Sequence, residues 1–453
     1  MMSFIKIVLI IILTQIFYAQ APINKQRKSG QPFIKNFSPK VYKAGNVNWS
    51  IIQDKNGMLY VGNENCLLEY DGNNWRKIKS PNNDVVRAID IDESGNIYLA
   101  SGSDFGYLET DSLSQYHFKS LLNYVEGDKN LGEVWDVVTS THGIYFKTRD
   151  KILRWANNKI KIWDSVYAYR LYKIDDKIYS RNQDVGLMVI EGDSIKVMPD
   201  GEYFSSTGVY NMIPFNKKSV DGKTQILITT NHKGLFLHDG NKFSPFKTEA
   251  DELFKNRQIY NACSMSNGNY AFATERGGVL IIDSNGRLLN MINKNSSLPT
   301  DVVYDVFSDR NGGLWFATLN GIAFCEEPSS FSTYKDKGLM EDMIYSVIRY
   351  DEKLFVTNEL GTFYLAEHEN NFQMIAESKK PAYRLINVDG ILIAYTNEGI
   401  AIIKNGKYSR IINVDGGVEI IRSIKDPRII YLGSDTGFGV LKIENNNVSL
   451  TFE

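Results

Sequence analysis

Apolar and polar residues alternate with a period of two along most of this chain, and the alternating runs are short. Each run stops at a Gly, Asn or Asp, which is the signature of half-buried strands joined by tight turns. The runs also recur in a fixed order. About ten times, with a period of roughly 35–45 residues, the chain spells an apolar stretch, an Asp/Asn/Gly turn, an aromatic strand, a polar break and a second alternating strand.

The clearest copy runs from Asp301 through the turn Asp309-Arg310-Asn311-Gly312 to Leu314-Trp315-Phe316-Ala317-Thr318, then to Asn320-Gly321-Ile322-Ala323-Phe324. A second, from Trp49 to Tyr60-Val61-Gly62 and Cys66 to Gly72, closes on Trp75-Arg76-Lys77-Ile78 and shows a fourth strand. The turn glycines sit where a hairpin needs positive φ, which Gly adopts freely and Asn or Asp at little cost. Tyr60, Tyr98, Tyr145, Trp315, Phe355 and Tyr431 fall at one equivalent place in the second strand, where they are expected to pack between neighbouring units. A four-stranded unit that cannot bury both faces must stack on its neighbours, and this period predicts an all-β chain of β-propeller blades.

These spellings resemble the two-component regulator propeller repeat, best over Leu298–Phe324 and next over Trp49–Trp75, with looser matches from about Phe33 onward. The resemblance implies the exported sensor region of a bacterial hybrid two-component system or of a related regulator. In that family two seven-bladed propellers precede a triple-tyrosine domain, a membrane helix and a cytoplasmic kinase or DNA-binding output. The expected organisation here is a signal peptide over residues 1–20, a linker over 21–32, a seven-bladed propeller over 33–337, and an incomplete second propeller of about three blades over 338–453. The chain departs from the family plan in having no triple-tyrosine domain, second membrane helix or output module before Glu453. The remainder is expected either beyond Glu453 or on a separate gene. Phe33 to Phe37 and Phe331 to Tyr334 both read as outermost strands, so the N-terminus is expected to close the first ring.

Lys6 beside the apolar run Ile7 to Leu13, continued by Ile16-Phe17-Tyr18-Ala19, reads as a cleaved export signal, too short to span a membrane. No Cys follows it, which argues against a lipoprotein. The expected location is therefore the periplasm, with a full-length form anchored in the inner membrane through a region not in this chain. A 43% apolar and 12% aromatic composition suits a β protein with a sizeable core, and a formal charge of −2 argues against a nucleic-acid surface.

Candidate chemistry is sparse. The three cysteines, Cys66, Cys263 and Cys325, lie in strand-like runs without a CxxC, so neither a disulfide framework nor a metal knuckle is predicted. Asp90-Ile91-Asp92-Glu93-Ser94-Gly95 faintly resembles a calcium loop but lacks its third acidic ligand and distal Glu and aligns with plain hairpin turns. His232 and His238 are a weak pair without an accompanying carboxylate motif. No catalytic residue, metal or cofactor is predicted.

What varies from repeat to repeat is the turn between the second and third strands. Aligning the repeats places Asn63, Glu64, Asp104, Phe105, Arg149, Asp150, Gln183, His232, Lys233, Glu275, Arg276 and Asn320 on one face around the channel as a candidate ligand rim. Trp135, Tyr169, Tyr210, Tyr260 and Tyr304 lie near the same face and either stack on sugar rings or line the channel and core. The resemblance implies an oligosaccharide or another extracytoplasmic ligand, and a second copy of the chain in a full-length homodimer. Two other readings stay open: a protein-binding scaffold, which would show a flat apolar patch, and an extracellular hydrolase or lyase, which would need convergent carboxylates or a metal.

Overall fold

The computed structural model describes residues 31–452 apart from 114, 219–221, 223, 328, 330, 335–341, 367–370, 414–416, 435–436 and 445–446. The expected signal peptide and most of the linker lie outside the described residues, as does the expected boundary at 337/338. Within them the chain forms ten four-stranded antiparallel sheets. It divides into two compact units, Pro32–Phe331 and Ser332–Glu453.

Each sheet is a meander, and the first is typical: Asn48–Gln53, Leu59–Asn63, Cys66–Tyr70 and Trp75–Lys79 pair in order. The hairpin between its first two strands is built by Asp54, whose carboxylate accepts from the backbone N–H groups of Asn56 (2.8 Å) and Met58 (2.9 Å), while Gly57 takes φ +93°. Asp309 repeats the device on Asn311 and Gly313 (both 2.9 Å). A short acceptor at the turn start and a Gly able to adopt positive φ are what the hairpin requires.

The larger unit holds seven sheets, hereafter blades one to seven: the first, then 86–120, 134–163, 171–197, 209–246, 259–292, and a seventh. In the seventh, Val303–Ser308, Gly313–Thr318 and Gly321–Glu326 are completed by Ile34–Phe37 from the chain's beginning, with Ile34 opposite Cys325 and Phe37 opposite Ile322. The N-terminal strand thus covers the edge that the last blade would leave open, as the sequence leads one to expect.

The innermost strand of each blade packs on that of the next, and that of blade seven on blade one, so the ring closes. Polar bonds tie the same junction. Asp305 of blade seven accepts from the Ile51 N–H of blade one at 2.8 Å, and Asn48 donates to the Gly321 carbonyl at 3.0 Å.

The core lies between blades. Tyr60, Tyr98, Tyr145 and Trp315 are all buried. Tyr60, for example, packs with Val86, Ile89 and Leu99 of the following blade. The smaller unit repeats the plan in three sheets, 346–374, 382–413 and 417–452, and Phe355 is buried there in the same role. Tyr431 departs from the expectation and stays exposed.

Candidate functional site

The turns between second and third strands meet the links between blades through a repeated backbone bond. Glu64 N–H donates to the Val47 carbonyl (3.0 Å), Gly102 to Val85 (3.0 Å), Gln183 to Tyr167 (2.8 Å), Asn231 to Gly208 (2.9 Å), Glu275 to Gln258 (3.1 Å) and Leu319 to Val302 (3.2 Å). One face of the ring therefore gathers both sets of loops around the channel mouth.

Of the rim residues proposed from sequence, ten keep a polar side chain at least partly open on this face and two do not. Glu64, Arg149, Gln183, His232, Lys233, Arg276 and Asn320 are exposed, and Asp104, Asp150 and Glu275 are half-buried. Lys233 Nζ lies 4.6 Å over the Tyr203 ring. Glu64 accepts from Asn46 N–H at 2.8 Å, and Asp104 from Ser120 Oγ at 2.7 Å, with burial raising the Asp104 carboxyl above its ordinary range.

Asn63 is fully buried and binds the Gly45 and Val47 carbonyls, while Phe105 is fully buried against Phe146. Neither has surface to offer a ligand. Asn63 ends the second strand, where Thr230, Thr274 and Thr318 also turn inward to hold the Gly234, Gly278 and Gly321 carbonyls of their own turns. That repeated polar end position is the signal that separates a turn staple from a rim residue.

Closer to the axis, six innermost strands carry one extra residue at their start, so that Trp49, Arg87, Trp135, Tyr210, Tyr260 and Tyr304 are each skipped by the strand register. A bulge re-aims a side chain, and here the re-aimed residues meet one another around the mouth. Trp49 stacks on Tyr304 at 4.4 Å, and Tyr260 meets Tyr304 edge-on at 5.2 Å. The Arg87 guanidinium lies 4.2 Å from the Trp49 ring and 4.6 Å from Trp135, with Glu133 at 3.7 Å. Blade four lacks the bulge, and Tyr169 and Arg170 take its place, Tyr169 stacking on Tyr210 at 5.9 Å.

Arg170 does something different. Its guanidinium lies 5.0 Å over Tyr260 of blade six, and blade five stands between the two. Contact between non-adjacent blades runs across the axis. Asp136 of blade three and Asp305 of blade seven are its carboxylate neighbours; burial alone would depress the Arg170 pKa, and Tyr260 with these carboxylates raises it instead. Burial pushes the Asp136 carboxyl up to about 6 against the opposing pull of Arg170, and raises Asp305 and Asp90 as well. Each carboxylate also accepts a backbone N–H from a neighbouring blade: Asp136 from Leu171 (2.8 Å), Asp90 from Thr139 (2.6 Å) and Asp305 from Ile51. Asn211 bonds Asn261, and Asn261 bonds Asp305, which carries the belt through blades five, six and seven.

Sequence reasoning reached Trp135, Tyr169, Tyr210, Tyr260 and Tyr304 but missed Trp49, Arg87 and Arg170. Their place at the start of the first strand, two residues after the inter-blade link, would have found the first two. Beside Arg87 a cavity of about 370 Å³ opens among Asp84, Gly102, Ser103, Lys129, Leu131 and Glu133. Such a mouth can hold a ligand by stacking and hydrogen bonding. Among the described residues no cluster of three or more His, Cys, Asp or Glu side chains is placed to hold a metal, and no helix is long and apolar enough to cross a membrane.

Residues 297–320 match the family model described as the two component regulator propeller. That segment carries the two-component regulator propeller repeat. The chain is similar over 92% of its length, at 18% identity and a TM-score of 0.63, to a structure described as the extracellular domain of a hybrid two component system from B. thetaiotaomicron. A second B. thetaiotaomicron extracellular domain, described as from a one component system, matches over 92% at 14% identity and a TM-score of 0.51. The chain spans 60% and 59% of the length of those two. A virginiamycin B lyase from Staphylococcus aureus matches 65% of the chain and 98% of its own, at 13% identity and a TM-score of 0.50. At these identities the likeness is one of propeller fold. No curated protein matches the sequence.

Proposed function

We propose that this chain is the exported, ligand-sensing propeller region of a bacterial signalling protein. On this reading it works in the periplasm, a membrane-anchored full-length form relays binding to a cytoplasmic output, and the ligand is a glycan held at the channel mouth of the seven-bladed ring. The family repeat and the likeness to extracellular domains of two- and one-component systems support the sensor role.

The observation that carries the site is an uneven distribution of exposed aromatic rings. Tyr124, Trp135, Tyr167, Tyr169 and Tyr203 all reach solvent on the mouth face of blades two to five. On blades six, seven and one, Tyr260, Tyr304 and Trp49 pack on each other instead. Tyr and Trp present a flat apolar face with a polar edge, which suits the apolar face and hydroxyl rim of a sugar ring. The ring is too extensively bonded to switch by itself, so the signal would pass as a change in packing between domains or copies.

A thermal-shift screen of the full chain against neutral and acidic oligosaccharides tests this reading. A ligand at about a hundred times its Kd adds roughly 2.7 kcal/mol to the folded state, enough to raise the melting temperature measurably. A flat panel from a well-folded protein would remove the glycan.

A further inference from the structure

The seven blades carry an internal control at the penultimate residue of the second strand. It is Gly62, Ala100, Lys147, Arg181, Thr229, Ala273 and Ala317 in blades one to seven. The place is cramped: a Cβ on Gly62 would stand 2.6 Å from the Val86 carbonyl of the next blade. Five blades keep the residue small, while blades three and four set a long cation there and bury it. Burying an ammonium or guanidinium is destabilising unless its charge and its donors are met.

Lys147 meets them at home. It is fully buried, and its Nζ donates to the Thr148 carbonyl and, at 3.2 Å, to the Lys151 carbonyl, the two ends of its own turn. Arg181 does not. It is 8% exposed, with Nε donating to the Phe204 carbonyl at 3.0 Å and Nη2 to the Ser205 carbonyl, both in the link to blade five. Those bonds fix the plane of the guanidinium. Nη1 has no hydrogen-bond partner among the described residues, and it is not closed off from solvent. Burial holds the Arg181 guanidinium below its ordinary range against the weaker pull of Asp184, which is exposed in the turn of the same blade and forms no salt bridge with it. A rule of the repeat broken in this way points to function.

The other neighbours of Arg181 are Tyr172, Tyr169 and Tyr210. The Tyr172 hydroxyl is committed, donating to the Val209 carbonyl at 2.8 Å. Tyr169 is 66% exposed and stacks on Tyr210 at 5.9 Å, and its hydroxyl has no partner among the described residues. An oriented guanidinium edge beside an open phenol suits an oxyanion, because charged acceptors form the shorter and stronger hydrogen bonds. The other arginines of the mouth are less available. Arg170 has Tyr260, Asp136 and Asp305 around it, and the partnerless Nε of Arg87 is fully enclosed.

We propose that the glycan is acidic, and that its carboxylate or sulfate group binds Arg181 Nη1 and the Tyr169 hydroxyl at the mouth of blades four and five. This rests on the glycan-sensing reading above and adds to it a charged anchor. Asp184, being exposed, stays solvated and its repulsion is screened.

Isothermal titration of the full chain tests it, with oligogalacturonates of two to six units against the same oligomers fully methyl-esterified, and sulfated galactan oligomers against their desulfated forms. The members of a pair differ in charge and little else. The expected result is binding of the acidic member of one pair at least about tenfold tighter than its neutral counterpart, with the preference shrinking as salt is raised. The pair that responds separates carboxylate from sulfate. Arg181→Lys keeps the charge and loses the fork; Tyr169→Phe keeps the ring and loses the hydroxyl. Each should weaken the acidic ligand several-fold and leave the neutral one unchanged. Tyr169 is exposed, so its variant should keep the parent melting temperature and decides the outcome if Arg181→Lys does not fold.

Equal affinity within both pairs, or a preference for the neutral member, overturns the inference and leaves glycan sensing standing. So does an acidic preference that survives Tyr169→Phe, or one that survives Arg181→Lys in a folded chain. Silence from all four series also overturns the inference, and glycan sensing falls with it only when the broader thermal-shift panel is silent too.

Discussion

Tyr60 and Tyr431 hold the same place in the repeat, two residues before the glycine of the second strand, yet Tyr60 is 2% exposed and Tyr431 42%. Leu67 and Phe438, which stand in the third strand opposite Gly62 and Gly433, differ in the same sense, fully buried against 48% exposed. In the ring Tyr60 is covered by Val86, Ile89 and Leu99 of blade two. In the smaller unit the sheet 417–452 buries Ile420, Ile430 and Leu432 against Val388, Ile393 and Tyr395, and its other face carries Ile421, Tyr431 and Phe438 into solvent. The repeat specifies which face is apolar; a neighbouring blade makes it a core.

The most damaging way to break this comparison is to open the ring. A variant beginning at Ser38 lacks the closing strand and exposes the edge of Gly321–Glu326. It should lose its cooperative urea transition, read by tryptophan fluorescence, or aggregate. Phe37→Ala, which removes a ring packed within 5.8 Å of Tyr70, Trp75 and Trp315, should cost about 3–5 kcal/mol. Parent-like unfolding of the shortened chain would mean that closure contributes little.

The next test uses the paired tyrosines themselves. Tyr60→Ala should destabilise the ring by roughly 3 kcal/mol or more, while Tyr431→Ala should change the smaller unit by less than about 1 kcal/mol, with hydrogen exchange reporting each unit separately. Equal costs would refute the claim that the neighbour supplies the burial.

Junction bonds should rank likewise. Asp305→Ala leaves the Ile51 N–H and the Asn261 amide without their acceptor and should cost about 2–4 kcal/mol. Ser346→Ala, which removes only a hydroxyl that accepts from Leu385 N–H at 3.0 Å in the smaller unit, should cost about 1 kcal/mol. The two are compared by urea midpoints.

A smaller effect is expected from pH. Asp136 titrates near 6 in the folded chain, against about 3.9 when unfolded, because burial penalises its charge more than Arg170 favours it. The folded state therefore holds that proton more tightly. Its contribution to stability is complete below about pH 4 and is lost as pH rises through about 6. Asp136→Asn, whose amide oxygen can still accept from Leu171 N–H, should flatten that slope by on the order of 1 kcal/mol. An unchanged slope would mean that Asp136 is not the titrating group. The smallest effect belongs to the rim, where Arg149→Gln, Lys233→Gln and Arg276→Gln should each leave the melting transition within about 0.5 kcal/mol of the parent.

Most of the fold was legible because its determinants are local. Asp54 with Gly57, and Asp309 with Gly312, spell a hairpin in five residues, and Phe33 to Phe37 reads as a strand whether or not its partner is known. The rim was legible as positions and less so as roles. Turn alignment found loops that lie on the mouth face, yet included Asn63, whose amide binds the Gly45 and Val47 carbonyls of the link before its blade, and Phe105, which belongs to the core.

The mouth was harder to read. A bulge that re-aims Trp49 and Arg87 depends on where the neighbouring strand places its hydrogen bonds, which the alternation of apolar and polar residues alone does not record.

By itself the sequence determined the strand period, the turns, the repeat and the apolar face of each sheet, since each depends on residues a few positions apart and on backbone sterics. Only the tertiary structure decided that Tyr60 is core and Tyr431 surface. It alone brought Arg170 across the axis to Tyr260 and Asp305, and left Trp135 and Tyr169 open while Tyr304 is packed away. Those outcomes depend on contacts between blades up to hundreds of residues apart, where burial and charge pairing are settled by the company each side chain keeps.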